Sequence, residues 1–127
     1  MSIITSNIDK FWQQQTELAK FVLREFDKPY FENIFYNNLD YLNLDADIIP
    51  FDVDRWNLNP LMFAYEHYNE QYLYPVVNLV NNIGTIFEFY SDKLNGKIIA
   101  PKLEHITALM QKYPNYGITT SRQTELL

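Results

Sequence analysis

The chain carries two histidines, His67 and His105, and each directly follows a glutamate, as Glu66-His67 and Glu104-His105. Adjacent residues on a helix point about 100° apart, so neither pair converges on one metal ion. The two histidines of a helical zinc site stand four residues apart, and that spacing is absent. Asp45-Ala46-Asp47 and Asp52-Val53-Asp54 are the acidic clusters. A calcium loop wants oxygen ligands at alternating positions around a glycine turn, whereas Ile48-Ile49-Pro50 separates these two. A phosphate cradle needs several glycines at a strand–helix junction, but the three glycines, at 84, 96 and 117, stand far apart. Ser91 and Ser121 have no histidine and aspartate set in sequence to activate them, and no Gly-x-Ser-x-Gly occurs. With no cysteine, thiolate ligands, disulfides and thiol nucleophiles are excluded. The expectation is a chain with no catalytic, cofactor-binding or metal-binding residues, and not an enzyme.

What the chain has in abundance is aromatic surface. Ten Tyr and nine Phe raise the aromatic share to 17% of 127 residues, within an apolar share of 47%. Tyrosine joins an apolar face to a polar tip, which suits half-buried positions and interfaces. The formal charge of −6 removes the basic footprint that a nucleic-acid partner requires. Its distribution is uneven. Residues 29–54 hold six carboxylates (Glu32, Asp40, Asp45, Asp47, Asp52 and Asp54) and no Lys or Arg, while basic residues outnumber acidic ones from Lys93 onward. Such polarity can orient a chain against its neighbours. No apolar run approaches the roughly 20 residues needed to span a bilayer. Residues 1–10 lack the basic-then-apolar order of a secretory signal, so a chain made and kept in the cytosol, with no membrane partner, is expected.

The elements follow from periodicity. Over 6–26 an apolar stripe of Ile8, Phe11, Trp12, Leu18, Ala19, Val22 and Phe26 predicts an amphipathic helix, with Ser6 and Asp9 as its capping pair. That stripe faces either the chain's own core or a partner helix bundle. After Asp27-Lys28-Pro29, the spacing of Phe31, Ile34, Phe35 and Leu39 predicts a shorter helix within 29–41. Residues 42–59 read as mainly extended, with short strands or ordered loop at 48–51 and 55–58. Asn59-Pro60 starts a helix to Tyr68, and Asn69-Glu70-Gln71 turns the chain. A second helix over 72–80 has Pro75 in its first turn and Asn81-Asn82 at its end. Residues 85–90 read as a strand, Asn95-Gly96 as a turn and 97–100 as the return strand. A helix over 103–113 carries Leu103, Ile106, Leu109, Met110 and Tyr113 on one side, and 114–127 reads as an extended arm.

Within 59–82 the frame Pro60, Ala64, Tyr68, Leu73, Tyr74, Val76, Asn81 resembles the helix–turn–helix centre of LysM modules. More closely, it resembles the LysM-like region of the T4-type contractile phage baseplate wedge proteins. Leu94-Asn95-Gly96, Ile98 and Pro101 are similar to the closing strand of such modules. The resemblance covers about fifty residues, 52–101. It implies an α+β fold: two short helices on one face of a two-stranded sheet, flanked by an amphipathic N-terminal segment (1–51) and a C-terminal helix with an extended arm (102–127).

The resemblance also implies a function. The chain would be a structural subunit of a tail baseplate wedge, assembled in the host cytoplasm and carried in the virion, joining other baseplate and tail proteins in multiple copies. The other implied function is a LysM-type peptidoglycan-binding module. The small, flexible loop that shapes the sugar groove ahead of the first LysM helix is replaced here by Arg55-Trp56-Asn57-Leu58-Asn59, so glycan binding is not expected. The aromatic side chains expected to anchor neighbours are Phe11, Trp12, Trp56, Tyr72, Tyr74 and Tyr90.

Overall fold

The computed structural model describes residues 16–112. Thr16 caps the first helix, α1 (Glu17–Glu25), its side-chain oxygen accepting from the Ala19 N–H at 3.0 Å. Ala19, Phe21 and Val22 face the core, and so does Glu25. The Ser6 cap and the stripe from Ile8 to Trp12 lie outside the described residues.

The single helix expected within 29–41 is replaced by two 3-10 turns, Tyr30–Glu32 and Tyr36–Asn38, followed by the short helix α2 (Leu39–Asn43). The cause is Asn33, buried and extended at ψ 122°. Its side-chain oxygen accepts from the N–H groups of Phe35 (2.7 Å) and Tyr36 (3.1 Å), and its amide donates to the Glu25 carbonyl at 3.1 Å. A side chain that captures two backbone donors stops helix propagation. Ile34 and Phe35 turn inward, whereas Phe31 is left 76% exposed.

Strand β1 (Asp47–Pro50) follows. Arg55-Trp56 lies in a one-turn helix, α3 (Val53–Trp56), rather than in a strand, because the Asp52 carboxylate caps the Asp54 and Arg55 N–H groups. Helix α4 (Pro60–Tyr68) starts at the Asn59 cap and ends where Asn69 takes the left-handed conformation (φ 60°). A 3-10 turn, Gln71–Leu73, leads into α5 (Tyr74–Val80), with Pro75 in its first turn. The expected strand over 85–90 is a 3-10 turn, Ile86–Glu88. There the Glu88 carboxylate reaches back to the N–H groups of Gly84 (2.7 Å) and Thr85 (3.2 Å), closing a capping box. Asn95 and Gly96, at φ 57° and 75°, make the turn into β2 (Lys97–Ala100), and α6 (Leu103–Gln111) closes the described chain.

The fold is α+β, with six α-helices and one two-stranded antiparallel sheet among the described residues. β2 pairs with β1, not with 85–90: Ile48 lies opposite Ile99, and Ile49 opposite Ile98. Pro50 is tolerated because each strand of a two-stranded sheet is an edge. From β1 to β2 the order is therefore strand, the one-turn helix α3, helices α4 and α5, strand, with β1 ahead of residue 52. One hydrophobic core takes Phe21 and Val22 from α1, Phe35 and Leu42, Phe63 from α4, Val76 and Val77 from α5, Ile98 from β2, and Ile106 and Leu109 from α6.

Candidate interaction surface

Of the residues singled out for chemistry, His67 and Asp47 are occupied in holding elements together. His67 projects from α4 with Nε2 3.7 Å from the Asp47 carboxylate of β1, which also accepts from Lys102 Nζ at 2.7 Å. The His67 ring stacks on Phe63, with centroids 5.3 Å apart. Burial holds the His67 pKa below its ordinary value, outweighing the pull of Asp47. The hydrogen bond from Lys102 lowers the Asp47 pKa, and the same contact raises that of Lys102. Next door, the buried Tyr68 hydroxyl donates to the Pro101 carbonyl at 2.6 Å, and burial pushes its pKa well up. These contacts join β1, α4 and the exit of β2. His105 lies against the Tyr41 ring, at 4.7 Å between centroids. Among the described residues no three His, Asp or Glu gather closely enough to hold a metal ion.

Of the six expected anchors, Phe11 and Trp12 lie outside the described residues. Trp56 is a wall of the core: it meets Phe63 edge-on at 4.9 Å, and its indole N–H donates to Glu66 at 2.6 Å. Glu66 also pairs with Arg55, and its pKa is lowered first by the indole bond. Tyr72 is half-buried on the turn before α5, with its N–H held by Glu70. Tyr74 is half-buried on α5, and Tyr90 is exposed. Sequence periodicity missed the most exposed apolar side chains. Phe31 and Phe87 keep 76% and 73% of their surface, and Tyr30 keeps 62%.

Tyr30, Tyr36 and Tyr74 belong to an open groove of about 380 Å³. One wall is the broken segment after α1. The Tyr30 and Tyr36 rings stack there at 5.0 Å and 27°, with Phe26 and Leu39 beside them. The other wall is α5, where Tyr74 and Asn78 stand one turn apart, and Asn82 and Gly84 close the end. Among the described residues no charged side chain lines it. The side-chain oxygen of Asn78 is buried and has no hydrogen-bond partner among the described residues. Glu32 and Asp40, on the first wall's segment, are exposed and form no ion pair among the described residues.

The α5 wall is fixed from behind by Asn81. Its amide nitrogen donates to the carbonyls of Val77 (2.7 Å) and Ile99 (2.8 Å), and its oxygen accepts from the Ile99 N–H at 2.8 Å. One side chain thus occupies the outer edge of β2 as a further strand would. Register shows why: the pairs 47/100 and 49/98 bond across the sheet, which turns the polar groups of Ile99 outward.

No protein-family model, no curated protein and no solved structure matches this chain. Among the described residues no helix is long and apolar enough to cross a membrane.

Proposed function

We propose that this chain is a structural subunit of a T4-type contractile phage tail baseplate, a wedge component that joins neighbouring baseplate proteins by passive contacts. The observation that carries the reading is the number of large apolar side chains left in water. Thirteen are exposed among the described residues, Phe31, Phe87 and Tyr30 foremost. Single exposed apolar residues are ordinary, but here Tyr30 and Tyr36 stack on each other beside a groove, and contiguous patches of that kind favour partners.

The LysM-like part of the reading is supported by the α4–α5 pair set between the two strands, although the one-turn α3 stands ahead of it, and by what the motif residues do. Pro60, Ala64, Tyr68, Leu73 and Val76 are buried, and Asn81 clamps helix to strand. The start of the loop that would shape a sugar groove, Arg55-Trp56, is drawn into α3 and its end, Asn59, into the cap of α4, which favours the adhesive use of the module over a glycan-binding one. Catalysis has no part in this proposal.

The test is location and need. Deleting the gene from its phage should stop tail assembly, and a tagged copy should restore it and sit at the baseplate of purified particles in several copies. Normal tails without the chain, or tight salt-resistant retention on insoluble peptidoglycan by a chain missing from particles, would refute the proposal.

A further inference from the structure

We infer that the groove between α5 and the Tyr30–Tyr36 stack is the seat of an extended, proline-bearing peptide flanked by Lys or Arg, contributed by a partner chain. The inference rests on the adaptor reading and names what one face of the adaptor takes.

Four features select that occupant. First, the stacked Tyr30–Tyr36 pair and Tyr74 present flat aromatic walls beside Pro75, the chemistry that packs proline rings. A proline-rich segment is already extended before it binds, so it loses little freedom on these walls. Second, Asn78 lines the groove, and among the described residues its buried side-chain oxygen has no donor, so turning that amide outward offers a peptide an acceptor at no loss of an internal bond. An extended peptide has unpaired backbone N–H groups to offer, whereas the N–H groups along the side of a helix are already used. Third, the lining carries no charge, so the part of the ligand within the groove is neutral. Fourth, the charge left unpaired on that wall is acidic: Lys28, between Phe26 and Tyr30, is taken by Glu25 at 2.7 Å, while Glu32 and Asp40 are exposed and lack ion pairs among the described residues. Basic flanks on the peptide complement that rim and bring it to the groove.

The test uses the full chain, isotope-labelled, titrated with a synthetic Lys-Pro-Pro-Leu-Pro-Pro-Arg peptide. Comparison probes are its Glu-flanked analogue, an amphipathic Leu/Lys helix and an N-acetylglucosamine oligomer. The basic proline peptide should give saturable shifts at Tyr30, Tyr36 and Asn78, with the Glu-flanked analogue weaker by about tenfold or more. Tyr36→Ala should abolish the shifts, and the Phe87→Ala control should leave them. The E32Q/D40N double variant should flatten the dependence on salt.

Asn78→Leu separates binding from folding. Removing the unpaired acceptor should leave the free chain as stable or more so, while the peptide binds more weakly. Equal binding of both flanking charges, preference for the helix or the oligosaccharide, or no response at Tyr30, Tyr36 and Asn78 would overturn the inference. The titration reads the groove and the particle measurement reads the location, so either can fail alone.

Discussion

Asn81→Ala tests how the α5 wall is held. The substitution removes three hydrogen bonds of 2.7–2.8 Å, two of them to the Ile99 N–H and C=O on the edge of β2. An intramolecular hydrogen bond contributes about 0.5–1.5 kcal/mol net, and Asn81 and Ile99 are only half-buried, so water can replace part of what is lost. The expected cost is therefore about 1–3 kcal/mol, below the sum of three full bonds. For a domain of this size that lowers the melting temperature by about 5–15 °C. Urea denaturation reads the total, and amide exchange at Ile99 reads the site. In the variant the Ile99 amide should lose protection beyond the global change, while Ile98, whose N–H faces β1, should follow the global change alone. Asn81→Asp keeps the acceptor but sets a carboxylate against the Ile99 carbonyl, so it should be no milder than Ala. A cost under about 0.5 kcal/mol with Ile99 still protected would refute the clamp.

Other perturbations reach different joints. Glu25→Ala breaks the buried carboxylate's bonds to Lys28 Nζ (2.7 Å) and the Ile34 N–H (2.9 Å), and should cost about 2–4 kcal/mol in urea denaturation. Trp56→Phe keeps a ring against Phe63 and loses the bond to Glu66, costing about 1 kcal/mol, whereas Trp56→Ala also loses packing and should cost about 2–4 kcal/mol. Acid should weaken the fold in two stages, followed by melting temperature against pH. His67, its pKa lowered by burial, refuses a proton that the unfolded chain accepts, so stability falls as pH drops through about 6.5. Asp47, Glu66 and Glu88, whose pKa values are lowered by Lys102, Trp56 and the Gly84 N–H respectively, contribute stability above about pH 4 that is lost below it. His67→Phe should remove the first stage and leave the second.

Local signals in the sequence were legible where the physics is local. Asn59-Pro60 starts α4, Asn69 ends it in the left-handed conformation, and Asn95-Gly96 turns at positive φ, because caps and turns depend on a few neighbouring residues. The readings failed where a side chain outcompeted the apolar pattern. Asn33 broke the helix that Phe31, Ile34, Phe35 and Leu39 predict, and Glu88 curled an apparent strand into a capping box. The partner of β2 was out of reach for another reason. Asp47–Pro50 lies about fifty residues upstream, and period-two patterns of four residues do not encode which strand they meet. The groove was hidden for the same cause, since its two walls come from either side of β1 in sequence.

The broken segment after α1 connects these failures to the proposed use. Had 29–41 formed the regular helix its periodicity predicts, Phe31 would lie on one face with Ile34 and Phe35, facing the core. Asn33 instead ends the first turn, so Ile34 and Phe35 go inward while Tyr30, Phe31 and Tyr36 stay outward. The Glu25–Asn33 knot beneath is fully buried and hydrogen-bonded, so this outward arrangement is held from below rather than left loose. Binding then loses little entropy in ordering those rings, which is the condition under which a small aromatic patch can carry an interface. Asn33→Ala would therefore strike the surface as well as the fold: stability falls, and the Tyr30–Tyr36 stack loses the turn that sets it.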